Sequence, residues 1–134
     1  MTNPLFLIVD DSKTVRLKTV GLIKKLGYEC LQAETGQEGL EKLRENNDIQ
    51  IILTDFNMPD MNGIEMVSLI KNDKQRKHIH CVMVTSMGKE GKTLMEAAKL
   101  AGAVAWLQKP LLLEQLKLLM EKLIDSKTPK EKED

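Results

Sequence analysis

The chain has 134 residues, 42% hydrophobic and 30% charged, which suits one domain built on one core. Its 20 basic and 20 acidic residues cancel to a formal net charge of +0, which leaves no electrostatic footprint for nucleic acid or an anionic membrane. No apolar run is long enough for membrane insertion, and Met1-Thr2-Asn3-Pro4 lacks the charged and apolar regions of a signal peptide.

Short apolar runs alternate with helical patterns along the chain. Leu5-Phe6-Leu7-Ile8-Val9 reads as a first strand and ends at Asp10-Asp11. Ser12 can cap a first helix with Val15, Val20, Ile23 and Leu26 inward, stopped by Gly27. Tyr28 to Ala33 reads as a second strand, the weakest, placed near an edge. Thr35 and Glu38 have capping-box spacing and open a second helix through Leu40 and Leu43, broken by Asn46-Asn47-Asp48. A third strand, Ile51-Ile52-Leu53-Thr54, ends at Asp55. Phe56 to Gly63 is dense in turn formers, and Asn62 with Glu65 then opens a third helix through Met66, Leu69 and Ile70. The basic cluster from Lys71 to Lys77 reads as a solvated helix end. Cys81-Val82-Met83-Val84 forms a fourth strand ending at Thr85. A loop with Gly88 and Gly91 follows. A fourth helix covers roughly Gly91 to Ala101 and stops at Gly102, with Thr93 and Glu96 offering a competing start. A fifth strand, Val104 to Gln108, ends at Lys109, and a fifth helix runs from about Leu111 to Ile124. One domain over residues 1–124 and a frayed, charged tail over 125–134 are expected.

Alternating strands and helices imply an α/β sandwich with a parallel sheet and right-handed crossovers. Cys30 and Cys81 fall on different predicted strands, so two buried free thiols in a reducing, cytoplasmic setting are expected. Ligands of such sheets bind beyond the carboxyl ends of the strands. Asp10, Asp11, Asp55, Thr85 and Lys109 all stand at such ends and should meet.

Three carboxylates in one place need offsetting charge. Two unit charges about 4 Å apart repel by on the order of 4 kcal/mol at an effective dielectric near 20. Lys109 supplies one positive charge. A hard divalent cation with open positions, Mg²⁺, suits the remainder. A metal, a lysine and a hydroxyl around one carboxylate make a phosphoryl-transfer site in which the carboxylate is the nucleophile. Asp55, alone on its strand, is the better nucleophile candidate than the Asp10-Asp11 pair. Taken singly, Asp-Asp-Ser is an ordinary helix cap and Asp55 an ordinary turn residue. Their joint occurrence at adjacent strand ends favours the site.

Val9-Asp10-Asp11-Ser12, the stretch from Thr54-Asp55-Phe56-Asn57 to Gly63, Met83-Val84-Thr85-Ser86 and Lys109-Pro110 together resemble the response regulator receiver domain, most closely its single-domain, CheY-like chemotaxis type. The resemblance covers about residues 4–124. It implies a (βα)5 doubly wound, five-stranded parallel sheet of flavodoxin-like type with strand order 2-1-3-4-5. It implies that Asp55 is the phosphoacceptor of a histidine kinase. Asp10, Asp11, Asp55 and the backbone carbonyl of Asn57 would ligate Mg²⁺, for which Mn²⁺ can substitute. Lys109 would contact the phosphoryl group after a cis Lys109–Pro110 bond. Thr85 would be the switch hydroxyl and Trp106 the switch aromatic. The output face would comprise helix 4, strand 5 and helix 5, and Asn57 and Met87 would tune hydrolysis.

The expected function is a signalling switch that binds a target such as a flagellar switch protein. With no DNA-binding domain expected after Ile124, direct transcriptional output is not. An alternative is a relay intermediate passing its phosphoryl group to a histidine phosphotransfer protein. A remote one is an aspartate-nucleophile phosphatase of the haloacid dehalogenase type, but Asn57 stands where that family needs an acid. A flavin-binding module is weaker still, because Asp10-Asp11 would repel its phosphate.

Overall fold

Strands and helices alternate without exception in the computed structural model, which describes residues 4–86 and 91–125. In chain order they are β1 (Leu5–Val9), α1 (Lys13–Lys25), β2 (Glu29–Ala33), α2 (Gly36–Glu45), β3 (Ile49–Thr54), α3 (Gly63–Lys71), β4 (His80–Thr85), α4 (Gly91–Ala101), β5 (Ala105–Gln108) and α5 (Leu113–Asp125). The strands form one parallel sheet in the order β2-β1-β3-β4-β5, as the resemblance implies. Met1 to Asn3, Met87 and Gly88 of the predicted loop, and the tail over residues 126–134 lie outside the described residues.

The central strands are apolar at nearly every position because both faces of the sheet are covered. Phe6, Ile8, Ile51, Leu53, Val82 and Val84 pack toward α1 and α5, meeting Val20, Ile23, Leu116, Met120 and Leu123. Their neighbours Leu7, Val9, Ile52, Cys81 and Met83 point to the other face, against Leu43, Met66, Val67, Ile70 and Ala98. Burying each such side chain stabilises the fold by roughly 1.5–3 kcal/mol. β2 is an edge strand with little full burial, matching its weak signal. Tyr28 precedes it and lays its ring 5.3 Å from that of Phe6.

The local signals resolve with some corrections. Ser12 Oγ accepts from the Val15 N–H at 3.3 Å and caps α1. Asn62 and Glu65 form a complete capping box, each side chain accepting from the other's N–H at 2.8 Å. At α2 the box is only half formed. Thr35 Oγ1 accepts from the Glu38 N–H at 3.0 Å, but Glu38 Oε1 accepts from Glu34, one residue before the cap, at 2.7 Å. Gly27 and Gly102 take φ of +91° and +115° past α1 and α4, a conformation that favours glycine. Thr93 lies inside α4, so Thr93 and Glu96 do not start that helix. α5 begins at Leu113, two residues later than expected. Leu111 is spent packing on the α1–α5 core, and Leu112 supplies the carbonyl that receives the Leu116 N–H.

The basic cluster stands at the end of α3 with Lys74 and Lys77 exposed, as expected, and is folded into a turn. Arg76 pairs with Asp73 at 2.7 Å, and Lys71 Nζ donates to the carbonyls of Lys77 and Ile79 at 2.9 and 2.6 Å. Both cysteines are free, but Cys30 is only half-buried while Cys81 is buried. Burial pushes the Cys81 thiol up to about 11. Among the described residues no helix is long and apolar enough to cross a membrane.

From β1 the chain moves outward to β2, then returns across β1 to β3. The strand order therefore reverses at β1. A crevice opens outside the carboxyl ends of β1 and β3, where such folds bind ligands.

Candidate functional site

Asp10 and Asp55 are fixed at the lip of this crevice by the last rungs of the sheet. The Asp10 N–H donates to the Ala33 carbonyl at 3.1 Å, and the Asp55 N–H to that of Val9 at 2.9 Å. Both residues are buried and Asp11 is exposed, yet one carboxylate oxygen from each of the three lies within 4.8 Å of the others. The two buried carboxylates share a pattern. Asp10 Oδ1 accepts from the Ser12 N–H at 2.9 Å, and Asp55 Oδ1 from the Phe56 N–H at 2.7 Å. Their other oxygens face Lys109, whose Nζ stands 2.9 Å from Asp10 Oδ2 and 3.2 Å from Asp55 Oδ2.

The charges are strained. Burial pushes the Asp55 carboxyl above the usual carboxylate range; Lys109 opposes that push and the Asp10 charge adds to it. For Lys109, burial disfavours the charge, but the hydrogen bond to Asp10 and the charges of Asp55 and Asp10 outweigh it. The ammonium is held above its ordinary value. One ammonium does not balance three carboxylates. The excess negative charge and the all-oxygen donor set fit a hard divalent cation such as Mg²⁺ or Mn²⁺.

The remaining expected residues lie around this centre in different ways. Thr85 ends β4, one strand from Asp55, and is buried; its carbonyl accepts from the Lys109 N–H at 2.9 Å. The Lys109–Pro110 bond is cis, as the resemblance implies. Asn57 is exposed on the β3–α3 loop, two residues past Asp55. Trp106 is not part of the acid cluster. It pairs in register with Met83 and packs half-buried toward α4, where it lines a cavity of about 360 Å³ with Met95, Ala98 and Val104.

Arg16 escaped the sequence reading. It is buried on α1, and its guanidinium donates to the main-chain carbonyl of Asp10 at 2.7 Å and to Gln32 Oε1 at 3.0 Å. It thereby braces the end of β1 against β2. A signal was present: Arg16 shares the inward stripe of α1 with Val20 and Ile23 at helical spacing, where a cation needs a reason.

Residues 6–121 match the family described as the response regulator receiver domain. The chain is 40% identical over 116 residues to the chemotaxis protein CheY1 of Helicobacter pylori, covering 86% of this chain and 92% of that one. It is 35% identical over 119 residues to a chemotaxis protein CheY homolog of Campylobacter jejuni, covering 88% and 90%. Among solved structures, the chemotaxis response regulator CheY4 of Vibrio cholerae superposes with a TM-score of 0.80 at 31% identity, covering 90% of this chain and 98% of that one. The acid crevice, the sheet order and these likenesses agree, and the chain belongs to the response regulator receiver family, of the CheY-like kind.

Proposed function

We propose that the chain is a cytoplasmic signalling switch, phosphorylated on Asp55 by a histidine kinase, that works in chemotaxis. The observation that carries this reading is the pairing of Asp55 with both Lys109 and the Asp10-Asp11 acids at the reversal point of the sheet. A carboxylate oxygen of Asp55 attacks the phosphorus of a phosphohistidine. The P–N bond breaks, and the imidazole nitrogen keeps the electron pair and takes up a proton from water. Lys109, whose ammonium already faces Asp55, steadies the negative charge on the transferring group. Asp10, Asp11, Asp55 and the Asn57 carbonyl would hold Mg²⁺, which when bound neutralises charge on the phosphoryl oxygens.

Signalling follows from the charge change. A phosphoryl group on Asp55 adds roughly −1.5 to −2 charge and three acceptor oxygens. The Thr85 hydroxyl turns to donate to one of them. Trp106 then turns toward the space beside β4, and the face of α4, β5 and α5 shifts between two states. The names of the Helicobacter and Campylobacter relatives support a chemotaxis target, such as a flagellar switch protein, over onward transfer to a histidine phosphotransfer protein.

Incubation with acetyl phosphate and Mg²⁺, read by intact mass, tests the chemistry. Wild type gains one labile phosphoryl group and Asp55→Asn gains none; equal labelling of the two would sink the assignment. Capture of the phosphorylated form by a flagellar switch protein tests the output. Rapid transfer to a histidine phosphotransfer domain without capture would move the reading to the relay alternative.

A further inference from the structure

One carboxylate fastens the β3–α3 loop to the start of α2. Asp60 Oδ1 accepts from the N–H groups of Gly36 and Met61, each at 3.0 Å, and Oδ2 from the Gln37 N–H at 2.8 Å. The first amides of a helix have no partner within it. In α2 the first intrahelical bond is the Gly39 N–H to the Thr35 carbonyl at 2.9 Å, and of the amides before it the Glu38 N–H is taken by Thr35 Oγ1. Those of Gly36 and Gln37 are taken by Asp60, from a different segment. The negative charge also suits the positive end of the helix. Burial opposes ionisation of Asp60, but the bonds from Gln37 and Gly36 outweigh it and hold the carboxyl below the usual range. Packing reinforces the clasp. Met61 lies over Gly36 so closely that a Cβ there would collide with its side chain.

The same loop begins at Asp55 and carries Asn57. Its base is closed by the Gly63 N–H donating to the Phe56 carbonyl at 2.8 Å, and α3 is capped from Asn62. Between these fixed ends, the chain from Asn57 to Pro59 is exposed or half-exposed, and Asp60 ties it to another element. We propose that Asp60 is a positioning residue of the phosphoacceptor site: by clasping α2 it holds the main chain at Asn57 and the carboxylate of Asp55 in the arrangement that takes a divalent cation. The proposal rests on the reading of Asp10, Asp11 and Asp55 as a cation site.

A plain helix cap would have the same bonds, so the test compares two caps of one helix. Thr35→Ala removes a bond from the start of α2 without touching the loop, and Asp60→Ala removes the clasp. Mg²⁺ affinity by calorimetry and thermal stability are measured for wild type, both variants and Asp60→Asn. Asp60→Ala is expected to weaken Mg²⁺ binding by about fivefold or more, with Thr35→Ala staying within about twofold of wild type. Asp60→Asn, which keeps one acceptor oxygen, falls between. Unchanged Mg²⁺ affinity in Asp60→Ala, or equal weakening by Thr35→Ala, would overturn the positioning role. Failure of wild type to bind Mg²⁺ would overturn the cation-site reading instead, so the two failures are distinct.

Discussion

The carbonyl of Thr85 accepts a 2.9 Å hydrogen bond from the N–H of Lys109. β4 and β5 are thus tied together at the point where one contributes a buried hydroxyl and the other the ammonium that faces Asp10 and Asp55. The tie is made by main chain, so it survives loss of the threonine side chain.

Thr85→Ala should therefore separate chemistry from signal. Lys109 stays in place, and labelling of Asp55 by acetyl phosphate stays within roughly threefold of wild type, less than about 1 kcal/mol in the barrier. The fluorescence change of Trp106 on phosphorylation is expected to disappear. A full fluorescence response in this variant would remove Thr85 from the switch.

The Asp55 carboxyl sits above the usual range because of burial, and the Asp10 charge adds to this against Lys109. An unfolded chain releases this proton at lower pH than the folded one. Stability is therefore lost as pH rises from the unfolded value through the folded one, and the full penalty remains above both. Asp55→Asn removes the penalty. In metal-free buffer at neutral pH the variant should melt higher than wild type. The gain should vanish below the carboxylate range. Thermal scans across pH check this; a gain that persists in acid would point to packing instead.

Arg16 is a buried cation whose two acceptors are the Asp10 carbonyl and Gln32. Arg16→Ala leaves both without their donor, at a cost of about 2–4 kcal/mol by urea denaturation. Arg16→Lys should recover little of it, because an ammonium lacks the planar fork that reaches both. Full recovery by lysine would show that charge alone matters.

Cys81 combines complete burial with a thiol held up to about 11, whereas Cys30 is half-buried on the edge strand β2. Under native conditions at pH 8, maleimide should modify Cys30 first, and Cys81 only on opening of the sheet. Peptide mapping after timed quenching reads the order. Early modification of Cys81 would mean that β4 opens locally.

Much of this site was legible because its residues follow unbroken apolar runs. Val9, Thr54 and Val84 each end a strand interior, so Asp10, Asp55 and Thr85 declare their place by position. The central strands carry this signal most clearly because both their faces are buried. Arg16 and Asp60 were missed for different reasons. Arg16 stood on an apolar stripe and could have been questioned there. Asp60 sits in a run of turn formers, and its partners Gly36 and Gln37 are brought to it only by the return of the chain from β2 to β3. The half-formed box at α2 has a similar origin: Thr35 and Glu38 have the right spacing, yet Glu38 finds the Glu34 N–H. Helix ends depend on which nearby donor is left over, and that is decided in three dimensions.

Borohydride reduction of protein labelled by a phosphodonor is the most direct trial of the chemistry. Reduction converts an aspartyl phosphate to homoserine, and tandem mass spectrometry locates the converted residue. Homoserine at position 55 alone is expected, and only when Mg²⁺ was present during labelling. Homoserine at position 10 or 11, or none at all in protein shown to be labelled, would contradict the assignment of Asp55 as the phosphoacceptor.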